Sequence, residues 1–186
     1  TIDIKIQKIL QDEINKIVSL SGAETANGIV IKPFTGDILA ITSFPDFNPN
    51  NYFEYDIENF KNRAISDSYE PGSTFKIIPL AIALESKKYS MQHEIFCENG
   101  KFLLPNKRFL RDHEPHGNLS IQDVFAHSSN IGISKLIDNF ENIELYKYCK
   151  KFGFGAKTGL PLKGEANGMI RDLRNWSKTS KNYMSI

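Results

Sequence analysis

Apolar residues recur at three- and four-residue steps along the start of the chain, at Ile6, Ile9, Leu10, Ile14, Ile17 and Val18. That period marks one face of an α-helix, so the spacing predicts a helix from Ile4 to Leu20 with one buried side, closed by Ser19, Ser21 and Gly22. Two short β-branched and apolar runs follow, Ile29 to Ile31 and Ile38 to Thr42, around Pro33 and Thr35-Gly36-Asp37. They predict a β-hairpin. The next stretch, Ser43 to Tyr52, is dense in Pro and Asn, which favour turns over ladders, and is read as an extended loop.

Pro71-Gly72 breaks the chain directly before Ser73. From Ser73 to Glu85 the composition turns helical, with Phe75, Ile78, Leu80, Ile82 and Leu84 as buried positions, so Ser73 is expected at or near a helix N-terminus. Met91 to Gly117 is polar and irregular, with a small hairpin expected around Glu98-Asn99-Gly100-Lys101. Ser120 suits the N-cap of a helix from Ile121 to His127. A second helix is expected to start near Asn130 and to carry Ile131, Ile133, Leu136 and Ile137, and a third runs from about Ile143 to Phe152 and stops at Gly153. Repeats, low-complexity tracts and a clear linker are absent from the sequence.

Composition narrows the class. With 186 residues, 40% of them hydrophobic and 24% charged, the chain has the make-up of one globular domain or a large piece of one. A net charge of +1 provides no global field for nucleic acid or an acidic membrane surface. The longest apolar run, Ile77 to Leu84, falls far short of the roughly 20 residues a membrane span needs. The first residues lack the basic and apolar regions of an export signal, so any signal or anchor is expected outside the chain. Cys97 and Cys149 have no CxxC spacing, which excludes a cysteine-rich zinc site and a thioredoxin-like motif and leaves a single disulfide open.

The chemistry concentrates at Ser73-Thr74-Phe75-Lys76, an S-x-x-K motif. A three-residue step puts Ser73 and Lys76 on one helix face a turn apart. A serine hydroxyl is a poor nucleophile until a base takes its proton, and an ammonium cannot serve. Lys76 therefore needs a pKa lowered by burial or by a neighbouring cation. A Ser-Lys pair on a solvated face is common by chance, but an apolar helix after a Pro-Gly break is a poor place for a solvated lysine. A second element, Ser128-Ser129-Asn130, stands at the junction of two helical segments. Ser128 suits a proton shuttle and Asn130 an amide that fixes the lysine and meets substrate, although helix capping alone would also explain these residues.

S-x-x-K followed by S-x-N is shared by penicillin-binding proteins and class A β-lactamases. The likeness runs wider, through Thr35 to Ala40, Phe44-Pro45-Asp46-Phe47-Asn48-Pro49, Asn62-Arg63-Ala64, Tyr69 to Lys76, Ser128 to Gly132 and Phe152-Gly153-Phe154-Gly155. From about residue 27 to the end, the chain resembles class B penicillin-binding proteins. Glu70 before Pro71-Gly72 is closer to the division type than to the elongation type. The resemblance implies an α/β fold of the serine transpeptidase and β-lactamase kind, a mixed sheet flanked by helices, with residues 1–186 as its N-terminal part.

It implies a periplasmic D,D-transpeptidase that cross-links peptidoglycan, with Ser73, Lys76, Ser128 and Asn130 as its catalytic residues and no cofactor or metal. Its expected partners are stem peptides ending in D-Ala-D-Ala, β-lactams as covalent inhibitors and other division proteins, with no nucleic acid, at the periplasmic face of the inner membrane. The family's third motif, K-[ST]-G, is expected beyond Ile186. Lys157-Thr158-Gly159 is read as incidental, because it follows Asn130 by fewer than 30 residues and has the flanks of a surface loop.

Two rivals stay open. One is an oxacillin-hydrolysing β-lactamase, which has Val or Ile where Asn130 stands; the other is a β-lactam-sensing or scaffold domain that acylates without turnover. Asp112, His113, Glu114 and His116 cluster in sequence, and His113 and His116 have a zinc-compatible spacing, but the set lies in an irregular stretch and lacks further ligands. His127 adjoins Ser128, yet adjacent helical residues point about 100° apart.

Overall fold

Asp3 starts the first helix, α1 (Ile4–Ser21), by accepting the free N–H groups of Lys5 and Ile6 on its carboxylate. Gly22 ends it in the left-handed conformation, φ +69°, with its N–H on the Val18 carbonyl. The structure, a computed structural model, describes residues 2–186, which divide into two units: residues up to 68 with 159–166, and residues 69–158 with 167–186.

In the first unit, β1 (Ala26–Ile31) and β2 (Ile38–Phe44) form the expected antiparallel hairpin, with Ile29 opposite Ile41 and a register shift between Val30 and Ile31. Helix α1 is fastened to β2 through Gln7. Its amide donates to the Ile41 carbonyl and accepts the Ile41 N–H, both at 2.9 Å, and so pairs with the backbone as a neighbouring strand would. The buried side of α1 is narrower than its periodicity suggests. Val18 is buried and Ile6, Leu10 and Ile14 are half-buried, but Ile9 and Ile17 are exposed, because a two-stranded hairpin covers only a narrow stripe of a helix. The Pro- and Asn-rich stretch is more ordered than a plain loop: 3₁₀ turns form at Pro49–Glu54 and Ile57–Phe60, ahead of α2 (Arg63–Ser66). Ser43 joins β2 to α2 by donating to the Asn62 side chain and accepting the Arg63 N–H.

In the second unit a 3₁₀ turn, Gly72–Lys76, runs directly into α3 (Ile77–Glu85). Then come β3 (Glu94–Phe96), β4 (Lys101–Leu103), β5 (Phe109–Arg111), β6 (Asn118–Ser120), α4 (Ile121–Ala126), α5 (Asn130–Asp138), α6 (Asn142–Lys151) and α7 (Ser180–Met184). β3 pairs with β6 and β4 with β5, both antiparallel. The small hairpin is thus displaced from the expected position: it turns at residues 104–108, where Leu104 N–H meets the Arg108 carbonyl, and residues 98–100 only connect β3 to β4. Asn-Gly looks like a hairpin turn, but here Glu98 and Asn99 both take positive φ in a 3₁₀ turn and leave the strand pairing to later residues.

Helix α5 is the centre of this unit. Ile131, Ile133, Leu136 and Ile137 are fully buried between two apolar clusters. One holds Ile78, Ile82, Leu145 and Cys149, and the other holds Cys97, Leu104, Leu110 and Val124. The two cysteines are free buried thiols, and burial pushes Cys149 up to about 11. Gly132 lets α4 lie against α5: a Cβ there would fall 2.6 Å from both methyl carbons of the buried Val124. Gly132→Ala is therefore expected to cost about 1–3 kcal/mol through overpacking. Thermal melting checks this, with Val124→Ala in the Gly132→Ala background recovering part of the loss; a single variant as stable as the parent would contradict the contact. No helix among the described residues is long and apolar enough to cross a membrane.

Candidate active site

Ser73 and Lys76 lie not in the first turn of an α-helix but in the 3₁₀ turn that precedes α3. Pro79 supplies a reason: it has no N–H to give the Phe75 carbonyl four residues back, so the preceding turn is free to tighten. At three residues per turn, side chains three apart tend to eclipse each other, but Ser73 makes no hydrogen bond to Lys76 among the described residues. Thr74 pins the turn by donating to the Pro71 carbonyl at 2.6 Å, and buried Phe75 anchors it edge-on against Phe154. Ser73 is exposed, whereas Lys76 is only 1% exposed.

The partner motif is shaped by how α4 ends. Ser128 N–H bonds to the Phe125 carbonyl and Ser129 N–H to the Val124 carbonyl, with Ser128 at φ +54°. This is the left-handed closure in which glycine is the usual residue. A serine there carries conformational strain of about 1 kcal/mol or more. The turn aims both the carbonyl and the hydroxyl of Ser128 at one point, and Lys76 Nζ occupies it. The amine donates to Ser128 O at 2.5 Å, to Ser128 Oγ at 2.8 Å and to Asn130 Oδ1 at 2.6 Å. All four predicted residues belong to the second unit, and three of them meet at one nitrogen.

Burial lowers the Lys76 pKa, and the charge of Asp112 opposes that shift. The cage suits either protonation state. An ammonium has three N–H donors for the three acceptors. The neutral amine keeps two N–H groups for the acceptor-only oxygens of Ser128 and Asn130, while its lone pair faces Ser128 Oγ, whose hydroxyl can turn and donate. Of these three contacts, the Ser128 hydroxyl alone carries a proton of its own.

Asp112 joins the site from the end of β5, a role no local pattern announced because its partners lie 17 and 19 residues away in the chain. It accepts Ser129 Oγ–H at 2.6 Å and Ile131 N–H at 2.9 Å, and the neighbouring Arg111 carbonyl accepts Asn130 Nδ2 at 3.0 Å. Ser129, 2% exposed, also caps α5 by accepting Gly132 N–H. The His116 and His127 rings lie 4.8 Å apart between centres at a 40° tilt. Lys157-Thr158-Gly159 falls in no strand; it follows the turn after α6 in an irregular stretch, and Gly159 has φ +83°.

A family model for the penicillin binding protein transpeptidase domain matches residues 27–186. The chain belongs to this family. Stage V sporulation protein D of Bacillus subtilis is 35% identical over 173 residues, which cover 91% of this chain and 27% of that protein. The peptidoglycan D,D-transpeptidase FtsI of Escherichia coli is 32% identical over 190 residues, covering 100% of this chain and 31% of that protein. Among solved structures, the apo TP domain of Burkholderia pseudomallei penicillin-binding protein 3 is 27% identical with a TM-score of 0.87, over 99% of this chain and 51% of that one. The chain therefore spans about three tenths of the length of these curated relatives. The α/β architecture is that of the penicillin-binding transpeptidase fold.

Proposed function

We propose that this transpeptidase-family chain forms part of a serine D,D-transpeptidase that cross-links peptidoglycan stem peptides, with Ser73 as nucleophile. The observation that carries the reading is the buried Lys76 amine held by Ser128 and Asn130 beside the turn that bears Ser73. Ser73 Oγ attacks the carbonyl of the penultimate D-Ala, and its proton passes through the Ser128 hydroxyl to the Lys76 lone pair. The tetrahedral intermediate collapses as the C–N bond breaks. The departing D-Ala amine takes a proton back along the same path, which leaves an ester on Ser73. An amine of a second stem peptide attacks that ester and gives up a proton to Lys76; the acyl C–O bond to Ser73 then breaks, Lys76 returns the proton through Ser128 to Ser73 Oγ, and the new amide is released. Asn130, with its oxygen on Lys76 and its amide nitrogen on Arg111 O, fixes the amine and borders the substrate.

The names of the relatives, FtsI among them, support a place in septal wall synthesis outside the cytoplasm. The finer reading is the periplasmic face of the inner membrane, with other division proteins as partners and β-lactams as covalent inhibitors. The test uses the full-length protein with a donor peptide ending in D-Ala-D-Ala and an acceptor amine. Release of one D-Ala per new amide bond is expected; rapid hydrolysis of penicillin would point instead to a β-lactamase, and acylation without turnover to a sensing domain.

A further inference from the structure

We infer that Asp112 is a positioning residue for this site: it clamps the start of α5 so that Ser128 and Asn130 close on Lys76. The inference rests on the acyl-transfer reading above and deepens it. Three observations support it. Both Asp112 oxygens are committed to the motif, one to Ser129 Oγ–H and one to Ile131 N–H, on either side of Asn130. The adjoining Arg111 carbonyl holds Asn130 Nδ2, so a two-residue stretch of β5 and its end grips three successive residues, 129 to 131. Ser128, directly before them, sits at a positive φ that a serine adopts only when its surroundings impose it. With the clamp removed, relaxation of Ser128 would swing its carbonyl and hydroxyl away from Lys76.

The charge acts separately from the clamp. Burial favours the neutral amine, while the Asp112 carboxylate favours the ammonium. Arg111, His113 and His127 flank the same stretches with exposed side chains, and Glu70 precedes the nucleophile turn in solvent, where water screens their fields. A carboxylate at this place keeps Lys76 protonated until the pH is high enough, and the clamp keeps the cage ready for the moment the proton leaves.

The two roles are separable in the full-length protein by fluorescent-penicillin acylation rates measured across pH. Asp112→Asn keeps an oxygen for Ile131 N–H but loses the charge. It is expected to slow acylation roughly ten- to a hundredfold, the order that misplacing a reacting group costs, and to move the acid limb of the rate profile to lower pH. Ser129→Ala keeps the charge and loosens the clamp, so its rate should fall with the acid limb unmoved. It also keeps the test open should Asp112→Asn not fold, because an unchanged rate in Ser129→Ala removes the clamp. An Asp112→Asn protein whose acid limb stays put overturns the charge role, and one that labels like the parent at every pH overturns the inference entirely. Ser73→Ala serves as the reference: its failure to label while Asp112→Asn behaves normally would sink the inference alone, whereas labelling of Ser73→Ala would sink the acyl-transfer reading beneath it.

Discussion

Ser73→Ala is expected to abolish covalent labelling by penicillin, a loss on the order of 10⁴-fold or more when the nucleophile of an acyl transfer is removed, while leaving the fold intact. The Ser73 side chain is exposed and makes no hydrogen bond among the described residues, so its removal should change stability by no more than about 0.5 kcal/mol. Neighbouring hydroxyls are poor substitutes. Ser129 is buried and bonded to Asp112 and Gly132 N–H, and the Ser128 hydroxyl is taken by Lys76. Mass spectrometry of the labelled peptide, beside a thermal melt of the variant, checks both halves. Label on Ser128 or Ser129 in the parent, or label persisting in Ser73→Ala, would remove Ser73 from its role.

The residues that a short-range pattern can announce were legible in the sequence. Ser73 and Lys76 are three apart after a Pro-Gly break, and Ser128 and Asn130 stand at a helix junction; that spacing together with the family resemblance made them candidates, and the fold brings Lys76, Ser128 and Asn130 into contact. The helices with strong periodicity, α1 and α5, were legible from their spacing. What escaped depends on contacts distant in the chain. Asp112 looked like one member of an acidic and histidine cluster, and only the fold brings it to Ser129 and Ile131. The left-handed Ser128 escaped too, because nothing in its identity signals a conformation that glycine normally takes. The hairpin between β4 and β5 was misplaced by its Asn-Gly signal, which tertiary packing turned into a connection. The exposure of Ile9 and Ile17 shows the limit of periodicity: it gives the apolar side of a helix but not how much of that side is covered.

Lys76→Met is expected to slow acylation by at least the hundredfold or so typical of a lost general base, and to remove a specific pH dependence of stability. Methionine nearly matches the lysine stem in length and fills the same buried space without an amine. The folded-state pKa of Lys76 lies below its ordinary value of 10.5, because burial penalises the ammonium more than Asp112 favours it. Between those two values the unfolded chain holds more protons than the folded one, so stability rises with pH there. At lower pH the lysine is charged in both states, and the full cost of burying an ammonium is present. As pH climbs through the lowered pKa, that cost is progressively relieved. The parent should therefore gain stability relative to Lys76→Met as the pH is raised toward 10.5, and its acylation rate should climb with the neutral amine fraction while the residual rate of the variant stays flat. Denaturant unfolding of both proteins over a pH series, with labelling rates at each point, measures the two effects together. Parallel stability curves would mean that Lys76 keeps an ordinary pKa in its cage, and equal labelling rates would mean that the proton of Ser73 goes elsewhere.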